Sequence, residues 1–163
     1  MAAINRDKQF FYITIAMVIV GAVISFGFRF YGERISSFFS ERNVGIETVL
    51  REFAEAAHKN TPYIIDETLL HKRVYFREAE RTIVYEYMFL HDSNGELDLQ
   101  HLKDDITEFL VEAMSLALIE DIAFLGDQDV IFEFVYFDNQ GAEMFRVRLL
   151  LNTPITVAGS VNR

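Results

Sequence analysis

VIFEFVYFDNQGAEMFRVRLLL, residues 130–151, is the stretch on which the fold turns. Val130 to Phe137 is apolar or aromatic at almost every position, and Ala142 to Leu151 is similarly rich in strand formers. Branched and aromatic side chains pack well on a pleated surface, so both runs read as strands. Asp138-Asn139-Gln140-Gly141 between them is turn chemistry, which makes the pair an expected antiparallel hairpin. In the first strand Val130, Phe132, Phe134 and Tyr136 share one face. Ile131, Val135 and Phe137 share the other, interrupted only by Glu133. A strand apolar on both faces needs cover on both sides. One long helix can supply one side; a second helix, an apolar ligand or a partner protein would supply the other.

Moving outward, Thr82 to Leu90 alternates, with Ile83, Tyr85, Tyr87 and Phe89 on one face. Arg73 to Phe76 is a shorter strand-like run, and Arg77 to Arg81 is the polar turn of a second expected hairpin. Between the hairpins, Leu102, Ile106, Phe109, Leu110, Ala113, Met114 and Ala117 recur at helical spacing. They predict a long helix from Leu99 to about Ile119, with Asp98 as its N-cap. A shorter helix is predicted from Ile46 to about Lys59 by Ile46, Val49, Leu50, Phe53 and Ala57, ended by Asn60-Thr61-Pro62. Tyr63 to Leu70 is apolar with a polar break at Asp66-Glu67-Thr68.

Ahead of these elements lies FFYITIAMVIVGAVISFGF, an uncharged run of nineteen residues from Phe10 to Phe28. As a helix it is roughly 28 Å long, near the ~30 Å hydrocarbon core of a bilayer. The run exceeds the apolar core of a signal peptide, and Ser25-Phe26-Gly27 is a poor cleavage site, so a retained anchor is expected. Phe10, Phe11 and Tyr12 at one end and Phe28, Phe30 and Tyr31 at the other match the aromatic belts of a spanning helix. Gly21-x-x-x-Ser25 is a small-residue pair at which a second helix could approach. The short basic N-terminal flank, with Arg6 and Lys8, is expected to stay in the cytoplasm, and the domain to lie outside, periplasmic in a bacterium.

The expected fold class is therefore α+β: one N-terminal transmembrane helix, then a small α-ββ-α-ββ domain whose antiparallel sheet packs against helices. The expected division is an N-terminal flank over 1–9, the spanning helix over 10–30 and a juxtamembrane helical linker over 31–45. An extramembrane domain over 46–151 and a tail over 152–163 follow.

Of 163 residues, 15 are Lys or Arg and 25 are Asp or Glu, a net charge of −10. Residues 1–42 carry a net +2, so the remainder carries −12. A domain that acidic does not attract nucleic acid. With no cysteine, disulfides, thiolate metal sites and cysteine-linked lipids are excluded. His58, His71, His91 and His101 have no metal-ligand spacing. His91-Asp92 reads as an exposed loop and not an acid–base pair. Asp92 to Asp98 fails the pattern of a calcium loop, since its glycine stands at position four. Asp104, Asp105, Glu108 and Glu112 read as a solvated helix face. No nucleophile elbow, P-loop or dinucleotide fingerprint is present. No catalytic residue, cofactor or metal is expected.

Three groups of residues resemble small pilotin-like α/β modules of bacterial membrane-tethered proteins and lipoproteins. They are Asn60-x-Pro62 with Asp66 ahead of an apolar pair, Thr82-x-x-Tyr85-x-Tyr87, and Phe134-x-Tyr136-x-Asp138-x-x-Gly141. The resemblance implies help in assembling envelope machinery. Here a helix would replace the lipid-bearing cysteine, which does not fit a shuttling role. The expected function is that of a non-enzymatic, single-pass accessory subunit. Its partners would be the bilayer and a larger membrane complex. Binding of an apolar ligand or lipid is the alternative, and an enzyme ranks third. The expected partner surface is the aromatic cluster Phe132, Phe134, Tyr136, Phe137, Met144 and Phe145 on the terminal hairpin.

Overall fold

The computed structural model describes residues 45–91, 98–120, 125, 128–152 and 154–158. The expected anchor, with Phe10, Phe11, Tyr12, Gly21, Ser25, Phe28, Phe30 and Tyr31, lies outside the described residues. Among the described residues no helix is long and apolar enough to cross a membrane.

The elements run α1 (Ile46–His58), β1 (Tyr63–Ile64), β2 (Leu69–Arg77), a 3-10 turn (Glu78–Glu80) and β3 (Thr82–Phe89). Then come α2 (Leu99–Glu120), β4 (Ile131–Phe137), β5 (Glu143–Leu150) and β6 (Thr156–Val157). Local chemistry sets several boundaries. Asp98 Oδ1 accepts from the His101 N–H at 3.1 Å and caps α2, relieving one of the unpaired donors of its first turn. In the β4–β5 turn, Asp138 Oδ1 accepts from the N–H groups of Gln140 (2.9 Å) and Ala142 (2.8 Å). Gly141 there has φ +83°, a conformation glycine adopts without steric cost. Asp66 Oδ1 accepts from the N–H groups of Thr68 (2.6 Å) and Leu69 (2.9 Å) and turns the chain into β2.

The six strands form one sheet in sequential order. β1–β2, β2–β3, β4–β5 and β5–β6 are antiparallel, but β3 and β4 are parallel, with Tyr85 opposite Phe134. This corrects the α+β expectation of an antiparallel sheet: the described residues form a mixed α/β structure of two helices and a six-stranded sheet. The reason is the length of the connection. The 22 residues of α2 make a rod about 33 Å long, whereas the eight of β3 extend about 27 Å. A rod of that length carries the chain from the Phe89 end of β3 back to the Thr82 end, so β4 starts level with β3 and runs the same way.

Both helices bury their stripes in one core. Ile46, Leu50, Phe53 and Ala54 of α1 and Leu102, Ile106, Leu110 and Met114 of α2 meet one face of the sheet. That face supplies Leu69, Val74, Ile83, Tyr85, Tyr87, Phe132, Phe134, Tyr136, Phe145, Val147 and Leu149. Aromatic rings stack in a row across four strands: His71 on Tyr87 at 4.8 Å, Tyr87 on Tyr136 at 5.3 Å, Tyr136 on Phe145 at 4.8 Å. The helix side of the sheet is thus filled by its own side chains.

Candidate interaction surface

Four of the six residues expected to meet a partner are in this core. Phe132 and Phe134 are fully buried, and Tyr136 and Phe145 nearly so. They cannot contact another protein while the domain is folded. Strand alternation puts them on one face, and that face packs against the helices, where burying large rings is most favourable. Met144 is partly buried and packs against the same core. Of the six, Phe137 alone is half-buried on the other side of the sheet, where Lys72 Nζ sits 4.5 Å from its ring centroid.

That other face is built in cross-strand rows fixed by the register. One row is Ile64, Leu70, Met88 and Phe137, with Glu143 opposite Phe137 on β5. The next is Arg73, Glu86, Val135 and Arg146, and the third is Tyr75, Val84, Glu133 and Arg148. The last is Arg77, Thr82, Ile131 and Leu150. Two carboxylates are buried at its centre: the Glu86 side chain is 4% exposed and that of Glu133 is 2%. Arg73 holds Glu86 through two bonds, Nε to Oε2 at 2.6 Å and Nη2 to Oε1 at 2.7 Å, with Lys72 Nζ at 3.9 Å. Three arginines converge on Glu133: Arg77 Nη2 at 2.7 Å, Arg146 Nη1 at 3.0 Å and Arg148 Nε at 3.0 Å. The Glu86 bond raises the pKa of Arg73, and the Glu143 bond does the same for Arg146, so both cations are fixed. Val84 and Val135 are buried between these long side chains, whose stems cover apolar surface while their heads reach water.

The two carboxylates are not equally replaceable. Glu133 has three arginines around it, whereas Glu86 has one, with the Tyr75 hydroxyl and Lys72 beside it. Arg73→Ala is expected to leave a buried charge poorly paired and to cost about 3 kcal/mol, the lower end of the range for such a break because Arg73 is half-exposed and water can enter. Urea denaturation with an Arg73→Lys control measures it; a loss below about 0.5 kcal/mol would mean water already serves Glu86.

On the helix side, His71 is 2% exposed, with no hydrogen-bond partner at either ring nitrogen. Tyr63 meets its edge at 5.1 Å, and Tyr85 and Tyr87 stack with it at 5.9 and 4.8 Å. Burial drives its pKa down to about 4 and lifts those of Tyr63, Tyr85 and Tyr87. The other described histidines are on the surface: His58 bonds Thr61 Oγ1 at 3.0 Å, and His101 lies 3.6 Å from Asp105. Asp92, the expected neighbour of His91, lies outside the described residues. Among the described residues no group of three or more His, Asp or Glu is placed to hold a metal ion, and nothing points to catalysis.

No family model matches the chain, and no curated protein matches it in sequence. Among solved structures, a candidate secreted protein from Pseudomonas aeruginosa is similar. The likeness has a TM-score of 0.51 at 13% identity, over 64% of this chain and 93% of that one. At that identity it shows a shared fold and nothing more.

Proposed function

We propose that the chain is a membrane-tethered docking domain on the outer side of a cytoplasmic membrane, an accessory subunit and not an enzyme. The observation that carries this is the division of the sheet. One face is closed by both helices; the other presents Tyr75, Met88, Phe137, Arg73 and Arg146, the residue types enriched in protein interfaces. The Phe10–Phe28 run supplies the tether on sequence grounds. A fold shared with a candidate secreted protein is consistent with a domain outside the cytoplasm. Binding of an apolar ligand ranks lower, because stacked rings occupy the layer between sheet and helices.

The test is extraction of the tagged full chain in mild detergent, followed by native mass measurement. A species heavier than the detergent-bound monomer, holding a second protein in fixed ratio, is expected. A solitary monomer would refute docking.

A further inference from the structure

His71 is buried on the helix side of β2, and neither of its ring nitrogens has a hydrogen-bond partner. The hydroxyl of Tyr87, stacked on it at 4.8 Å, is buried and unpaired as well. A neutral imidazole can sit in such a stack of rings. A charged one cannot sit there cheaply, because a buried ion without water or a counterion is far costlier than a buried neutral group. The ring is enclosed from two strands. Tyr85 and Tyr87 lie against it from β3, and Tyr63, its register partner on β1, meets it edge-on at 5.1 Å.

These two walls are unequal. β3 is laddered on both sides along its whole length, and Tyr85 and Tyr87 are sealed. β1 is two residues long, stands at the edge of the sheet and pairs with β2 alone. Its Tyr63 is half-buried and its Ile64 is 66% exposed. Just beyond it, the Ile65 N–H donates to the Leu69 carbonyl at 2.9 Å. A segment held by so few bonds opens at far lower cost than the domain unfolds. No charge stands ready to stabilise a proton on His71. The inward positions of α1, which packs over β2, are apolar there (Phe53, Ala54, Ala57), while Glu55 and His58 are exposed. On β2 and β3, Arg73 and Glu86 pair with each other on the opposite face. In the turn after β1, Asp66 Oδ1 is occupied by the N–H groups of Thr68 and Leu69. Burial alone lowers the histidine's pKa.

We propose that β1 is an acid-operated latch: a proton on His71 turns Tyr63 outward and detaches β1 from β2 while the rest of the sheet stays folded. Water then reaches the imidazolium from the side that Tyr63 covered. The edge of β2 at Leu69–His71 is bared, and its unpaired backbone groups are the kind to which an extended segment of another chain adds. The latch is independent of docking through the open sheet face, which lies on the other side of the sheet.

The experiment is amide hydrogen exchange on the full chain in nanodiscs of neutral lipid, corrected for the intrinsic pH dependence of exchange. The Ile65 amide, bonded to Leu69, reports the latch. The Leu151 amide, bonded to the Val130 carbonyl at 2.9 Å, reports the far strands. The open form takes its proton at the ordinary 6.5 and the closed form only near 4, so opening grows as pH falls below 6.5. Between pH 7 and pH 5 the protection of Ile65 should drop about twentyfold, with that of Leu151 unchanged. His71→Phe keeps a ring in the stack and should flatten the Ile65 profile; His71→Leu does the same with a smaller side chain if the phenyl ring does not fit. Wild-type protection at Ile65 that ignores pH would overturn the latch. So would a drop of equal size in both His71 variants, which would assign the response to the Asp66 turn. A fall at Leu151 in step with Ile65 would also overturn it, since acid would then be unfolding the whole domain.

Discussion

Phe134→Ala is expected to lower stability by about 3–5 kcal/mol, the largest effect of any single truncation considered. Phe134 is fully buried in the middle of β4, opposite Tyr85 on the parallel side and Val147 on the antiparallel side. Its ring stacks on Tyr85 at 5.3 Å, so removing it opens a void that flanking strands cannot close without breaking their ladder. Urea unfolding followed by circular dichroism reads the loss. Phe137→Ala is the control, on the same strand but half-buried on the other face, and should cost less than half as much. Equal losses at the two positions would mean that the core is not where the structure puts it.

Acid should act on one histidine. His71 has a folded pKa of about 4 against an ordinary value of 6.5, because its charged form would sit unsolvated among Tyr63, Tyr85 and Tyr87. Those phenols stay neutral in this range, and both ring nitrogens lack partners. The unfolded chain takes up the proton first, so stability is complete above pH 6.5 and falls as pH drops toward 4. The full difference corresponds to about 3 kcal/mol. Carboxylates titrate in the same window, so the measurement is a comparison of wild type and His71→Phe from pH 7 to 4. The variant should be less acid-sensitive by about that amount. Parallel pH profiles would show that His71 is reached by water or by a partner.

Much of the local structure was legible because local chemistry determines it. Asp138 and Gly141 form their turn with bonds to near neighbours. Asp98 caps α2 by the same logic. Pairing of β3 with β4 was not legible, because partners more than forty residues apart leave no local mark. β1 and β6 are two residues each, too short for any alternation to show. The partner surface was misplaced for a related reason. Alternation separates Phe132, Phe134 and Tyr136 from Ile131, Glu133, Val135 and Phe137, but it does not say which set faces the helices. The signal that could have decided it was charge. Arg73 and Arg77 are four apart and Arg146 and Arg148 two apart, so each pair shares one face of its strand, and Glu86 and Glu133 are central on theirs. Aligning those charges marks one face as wet and leaves the large rings for the core. Glu133, which looked like an interruption, is the hub of that face.

The most direct test of docking through the open sheet face is site-specific photo-cross-linking in intact cells. A photoreactive residue is placed at Ile64, on the apolar row, and at Glu108, exposed on α2. The account predicts one discrete cross-linked protein from position 64 and none from position 108. Cross-linking from position 108 with silence at position 64 would contradict it.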